Sequence, residues 1–279
     1  MAEKTILHTL YNGSRVAVHP ETEIAQIIDA AANAMAHNKF VRGKDLTSYF
    51  NSGEMSTAIA AGTFTDIYPG DFITKSVTVS GTTYSNVKWL VGDLDYHLHA
   101  GDTETTAHHV LMVAAEPIGT AAMNSSNSTT GGYIGSAMWT TTIPKYVTGI
   151  KAAFGASHIL SHRELLTNSI NASAASMAGA ALTGCANNWA WTSVDVNIMN
   201  EAMTYGTRAF SSSAYDIGDC NMQIALFRGC KSLTFYRTQW NWLRAVSYST
   251  AFAIAYHYGA SSYLSASNAG GVRPYFLLL

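Results

Sequence analysis

WNWLRAVSYSTAFAIAYHYGASSYLSASNAGGVRPYFLLL, Trp240 to Leu279, closes the chain, and its reading decides the rest. From Ser247 to Gly270 it contains no Asp, Glu, Lys, Arg, Gln, Pro, Met, Trp or Cys. Sharply specified flanks, WNWLR before and GVRP after, enclose a narrow alphabet of Ser, Ala, Tyr, Gly, Thr, His and Asn. Trp240, Trp242 and Leu243 read as core. Tyr248, Tyr256, Tyr258 and Tyr263 follow no clean helical or strand period and stand among small neighbours. Tyrosine mixed with Ser, Gly and Asn is the composition of a binding surface, where rigid rings supply area and small polar residues adapt around them. Tyrosine also loses little rotamer freedom for the area it buries. The segment Ser247 to Asn268 is therefore expected to bind rather than to catalyse.

Outside this tract the chain is poor in charge. Of its 279 residues, 48% are hydrophobic and 12% charged, against about a quarter charged in ordinary globular domains. A net charge of −2 offers no basic footprint for nucleic acid. No stretch approaches the roughly 18 uninterrupted apolar residues of a spanning helix, so membrane insertion is not expected. The start, MAEKTILHTLYNGSRVAV, lacks the apolar core of a signal peptide, which points to synthesis in the cytoplasm without a visible export route. Cys185, Cys220 and Cys230 match no zinc or redox spacing and read as buried, unbridged thiols.

Glu21 to His37 has Pro20 before it, acidic residues in its first turn and apolar Ile24, Ile27, Ile28, Ala31 and Met35 at helical spacing. It makes residues 1–45 a helical attachment or assembly segment ahead of one domain over 46–279. A short helix is expected from Gly53 to Ala61. DFITKSVTV and VKWLVGDLDYHLH alternate around a turn and predict a hairpin. HHVLMVAA predicts a buried strand, MNSSNSTTGGYIGSAMW a long polar loop, and IPKYVTGIKAAFG and SVDVNIMNEAMTYG two helices. NASAASMAGAALTG fits either tight packing or loop. Helices and antiparallel strands without βαβ alternation indicate an α+β fold.

Two stretches carry possible chemistry. On a strand, Asp93, Asp95, His97 and His99 share one face, with His108 and His109 returning across a hairpin. That is a donor set for a divalent ion. The same alternation describes any strand with a polar outer face, and no HExxH motif accompanies it, so no metal is expected. His162 and Glu164 suggest an acid/base pair, but taken as part of a helix they do not face each other. No GxSxG elbow and no phosphate loop is present, and neither catalysis nor a cofactor is expected.

The frame around the tract, Trp240, Trp242, Leu243, Arg244, Ala245 and Val246, then Phe252, Gly259 and Ala266-Ser267, then Gly271, Val272, Arg273, Pro274 and Phe276, resembles that of variable proteins of diversity-generating retroelements, in the form found in gut Firmicutes phages and prophages. GDLDYHLHAGDTETTAHHV, TTGGYIGSAMWT, AAFGASHILSHRELLTN and NIMNEAMTYG extend the resemblance from about Lys44 onward. It implies a C-type lectin-like fold of mixed antiparallel sheet, helices and long ordered loops, with a variable region over about 236–276. In such systems a template is copied with errors at adenines, which restricts the alphabet as seen here.

The resemblance makes Asn241, Ser247, Tyr248, Thr250, Ala253, Ala255, Tyr256, His257, Tyr258, Ser261, Ser262, Tyr263, Leu264 and Asn268 the variable, ligand-facing positions. Tyr236 and Gln239 stand at the margin, Gln239 outside the expected alphabet. Trp240, Trp242, Arg244, Phe252, Gly259, Gly271 and Arg273 are the scaffold frame. Large aromatics anchor the strands, Gly259 and Gly271 allow turns closed to other residues, and an arginine can hold loop carbonyls. The implied function is host adhesion by a hypervariable surface on a virion, made of several copies and contacting other virion proteins, with a host cell-surface protein or glycan as ligand. A virion decoration protein and an enzyme of the formylglycine-generating type are the alternatives. The latter requires a reactive cysteine near the C-terminal core, and no Cys follows Cys230.

Overall fold

A computed structural model of the chain describes residues 7–11, 14–18, 30–171, 185–211 and 222–279. Within them, strands dominate and helices are short, in a mixed α+β arrangement. The chain starts with an antiparallel hairpin, β1 (Leu7–Tyr11) and β2 (Ser14–Val18), which the expectation of a helical opening segment missed. Helix α1 covers Ala30–His37. The rest of the expected helix, 21–29, lies outside the described residues, as do nearly all of NASAASMAGAALTG and Cys220. The end of α1 is held firmly: His37 stacks on Tyr68 at 4.3 Å, and Asn38 donates to Asp93 Oδ1 at 2.6 Å. Two short helices follow, α2 (Thr47–Asn51) and α3 (Glu54–Ala60), the second where the sequence placed it.

The expected hairpin forms as β3 (Phe72–Val79) and β4 (Thr82–Leu94), paired antiparallel. Next come the buried strand β5 (Val110–Ala114) and the two-residue β6 (Thr120–Ala121). A π-helical turn, Met138–Thr142, leads into α4 (Ile143–Phe154), the expected helix. SHRELLTN, considered above on a helix, is instead strand β7 (His162–Ile170), paired with β8 (Ala186–Val194). Its β partner begins beyond the reach of any local pattern. SVDVNIMNEAMTYG is not one helix either. Val194, Val196 and Ile198 repeat at the strand period of two, giving β9 (Val196–Ile198) before the single turn α5 (Glu201–Tyr205). Asn200 caps that turn, its side chain accepting from Met203 N at 2.7 Å. Helix α6 (Ala225–Gly229) precedes the closing strands β10 (Asn241–Tyr248), β11 (Ala251–Ala255), β12 (Ser261–Ser265), β13 (Gly270–Gly271) and β14 (Pro274–Leu278).

Two five-stranded sheets organise the body, in orders β3-β4-β5-β14-β9 and β12-β11-β10-β13-β6. Every residue of β5 and β14 is buried, as continuous apolar runs in a doubly covered sheet require. Side chains alternate between two cores. Val110, Met112, Phe276 and Leu278 join Trp89 and Phe154 in one, where Trp89, Phe154 and Phe276 pack at 4.9–5.7 Å between ring centres. Leu111, Val113, Tyr275 and Leu277 join Leu226, Phe227, Leu243, Ala253 and Ala255 in the other. The C-terminal strand thus sits inside the first sheet while β10–β12 build the second, which ties the closing tract to both cores. Among the described residues no helix is long and apolar enough to cross a membrane.

Candidate functional site

Strands β10 and β11 are buried along almost their whole length, whereas every residue of β12, the edge of the second sheet, is half-exposed. The tract accordingly divides. Thr250, Tyr258 and Asn268 are exposed, Tyr258 at 69%. Tyr248, Tyr256, His257, Ser261, Ser262, Tyr263 and Leu264 are half-exposed. Asn241, Ser247, Ala253 and Ala255 are buried, which corrects the expectation that they face a ligand. Ala253 and Ala255 lie on an interior strand and point into the second core, and Asn241 and Ser247 sit on the strand beside it.

The tyrosines gather in two groups. Tyr256, His257 and Tyr258 pack against one another at the turn between β11 and β12, with ring centres 4.3–5.1 Å apart. Tyr248 meets Tyr263 edge-on at 4.7 Å, and Phe210 adds to Tyr263 at 5.1 Å. Close ring pairs of this kind, most of them edge-to-face, hold the rings against one another. The polar stretch 122–136 forms neither helix nor strand and clasps the turns of the tract. Thr129 Oγ1 donates to Tyr248 O at 2.9 Å, Asn124 N to Ala266 O at 3.0 Å, and Ser267 Oγ to Asn127 Oδ1 at 2.6 Å. Glu201, fully buried, accepts from Ala209 N, Ser211 N and Ser261 Oγ at 2.6–3.0 Å, joining the 209–211 loop to β12. Phe210 and Glu201 escaped the sequence reading because they precede the tract by tens of residues.

The frame residues divide as well. Trp242 and Phe252 are fully buried, while Trp240 is half-buried and packs edge-on to Trp242 at 5.0 Å. Gly259 turns the chain at φ 93°, a conformation that favours glycine. Gly271 makes no such turn. It is needed for close approach, since a Cβ there would stand 2.7 Å from Pro117 Cβ and 2.9 Å from Trp240 O. Arg273 does hold carbonyls, donating from Nε to Ala114 O at 2.8 Å and from Nη1 to Thr234 O at 3.2 Å. Burial lowers its pKa to about 10.

Arg244 does something else. Behind β10 it forms an ion pair with Glu164, both side chains almost wholly buried. Glu164 also receives the Tyr275 hydroxyl and pairs with His162 Nε2 at 2.8 Å, while Asn197 Nδ2 approaches its other oxygen at 3.4 Å. Burial alone would raise the Glu164 pKa, but Arg244 and His162 hold the carboxyl well below its usual range. Tyr275 is pushed well above its ordinary value by burial and by Glu164. The alternation of a strand puts His162 and Glu164 on one face, a signal that placing them on a helix concealed.

The four-residue donor set around β4 does not assemble. Strand β4 ends at Leu94, and Asp95 and His99 take positive φ angles of 58° and 61°, which breaks the alternation. Asp93 turns to Asn38 and Ala225 N, Asp95 binds His108 Nδ1 at 2.8 Å, and exposed His99 pairs with Glu104. His97 instead reaches the β7 cluster, its ring 4.3 Å from that of His162. His109 accepts from His97 N through Nε2 at 3.0 Å and donates from Nδ1 to Ala107 O at 2.9 Å. Burial lowers the His109 pKa to about 4 and His97 well below its usual value.

Asp93 yields a pH prediction. Burial raises its pKa to about 7 against the opposing hydrogen bond from Ala225 N and the charge of Arg228. Folded Asp93 keeps its proton to about pH 7, whereas the unfolded chain releases it near about 3.9. Its contribution to stability is present below about pH 4 and is lost as pH rises to about 7, by roughly 4 kcal/mol at most. Asp93→Asn is expected to flatten that slope in urea unfolding measured from pH 4 to 7. An unchanged slope would show that Asp93 does not set it.

The fold and the site define a class: an α+β protein whose closing strands present tyrosine clusters over a buried polar network. Comparison with protein-family models, curated proteins and solved structures finds none that matches the chain.

Proposed function

We propose that the chain is a phage or prophage receptor-binding protein, a C-type lectin-like domain whose closing tract is a hypervariable ligand-binding surface diversified by a retroelement. The observation that carries this reading is the division of the tract between buried frame and accessible filling. Trp242 and Phe252 are buried, while Tyr258 is exposed and Tyr248, Tyr256 and Tyr263 are half-exposed in pre-packed clusters. The restricted alphabet of Ser247 to Gly270 supports it independently. Display of several copies on the virion would multiply weak single sites through avidity. The ligand is a host cell-surface protein or glycan, since tyrosine and serine suit both.

Two measurements test the proposal. The genome of origin should carry a near-copy of the tract's coding sequence beside a reverse transcriptase gene, differing from it at adenines. Its absence would remove the diversification claim. Tyr258→Ala and Tyr263→Ala should each weaken adsorption to host cells about tenfold or more with little change in Tm. Undiminished adsorption in both variants would sink the binding face.

A further inference from the structure

We propose that His97, His162 and Glu164 form a binding site for a divalent transition ion, Zn2+ foremost, in the interior behind β10. One donor atom from each side chain lies within 4.8 Å of the others, and all three residues are buried. Two imidazoles and a carboxylate are a donor set of Zn2+ and its neighbours, and exclude the hard oxygen-seeking Ca2+ and Mg2+. Tetrahedral Zn2+ with bonds of about 2.0–2.1 Å separates its donors by about 3.3 Å. His162 Nε2 and Glu164 Oε1 are already 2.8 Å apart, so an ion replacing the shared proton needs only a small adjustment there.

Independent observations point the same way. The two imidazole rings stand 4.3 Å apart at their centres, close enough to share one ion. His162 borders a surface cleft of about 440 Å³, with Thr105, Ala107, Leu160 and Ser193, while its side chain is fully buried beneath it. Tyr275 donates to Glu164 Oε1 and Asn197 to Oε2, so the carboxylate is already oriented by its neighbours, as outer partners orient metal ligands. Arg244 offsets the charge of Glu164, so a bound dication leaves an excess positive charge that favours hydroxide or another anion as the fourth ligand. The ion would join the turn carrying His97 to β7 and, through Glu164 and Arg244, to the first strand of the display sheet.

The test uses the full chain, stripped with EDTA, dialysed and titrated with Co2+ and Zn2+. The expected result is the intense visible absorption of tetrahedral Co2+, saturating at about one equivalent. Zn2+ near a hundred times its Kd should raise Tm by about 5 °C or more. His97→Asn and His162→Asn should abolish both effects, whereas His99→Asn, altering an exposed imidazole outside the site, should leave them intact. Absence of the Co2+ spectrum from the native chain, or its persistence in His97→Asn, would overturn the proposal. If His162→Asn fails to fold, His97→Asn and the native titration still decide.

Discussion

Arg244→Met is expected to cost about 3–5 kcal/mol, because it leaves the Glu164 carboxylate buried without its guanidinium. For a chain of this size that lowers Tm by about 5–10 °C. Glu164 is fully buried and Arg244 6% exposed, so water cannot replace the lost partner. The remaining contacts, from Tyr275, His162 and Asn197, were arranged around an ion pair and do not replace the guanidinium on Oε2. Glu164→Leu combined with Arg244→Met removes both charges, and the double variant should lose less than the sum of the single losses by at least about 1 kcal/mol. Urea unfolding in EDTA measures all three variants free of any metal contribution. Strict additivity, or a loss below about 1 kcal/mol in Arg244→Met, would show that the pair does not hold β10 to β7.

Trp242→Ala should be as damaging, at about 3–5 kcal/mol. Its indole is fully buried, donates to Ala121 O at 2.8 Å and packs edge-on to Trp240. A Cβ at Gly270 would lie 2.8 Å from its Nε1, so the surroundings are shaped to that ring. Changing exposed Thr250, Tyr258 and Asn268 together should cost about 1 kcal/mol or less, since surface positions away from special features have small effects. Thermal unfolding of the two variants gives the contrast directly. If the triple surface variant melts as early as Trp242→Ala, the tract is part of the core and the separation of frame from filling fails.

Ser261 lies between these extremes. It is half-exposed, yet its hydroxyl reaches buried Glu201. A substitution at this position would touch the scaffold as well as the surface, unlike one at Tyr258.

What was legible in the sequence was whatever local periodicity writes. The β3–β4 hairpin, buried β5, α3 and α4 all lie where alternation or helical spacing placed them. The elements misjudged are those in which distant pairing overrides local pattern. β7 pairs with β8 across an intervening segment, and β9 pairs with β14 at the far end of the chain. Within the tract, the sequence marked frame and filling but not depth. Ala253 and Ala255 read like Ser262 in composition, and only an interior place in the second sheet buries them.

By itself, then, the sequence determined the α+β class, the low charge and the restricted alphabet of the closing tract, all properties of residue types and their local spacing. Only tertiary structure decided which of the tract's side chains reach solvent. It alone brought His97, His162, Glu164, Arg244 and Tyr275 together from four separated segments, because their meeting depends on sheet register and not on sequence spacing.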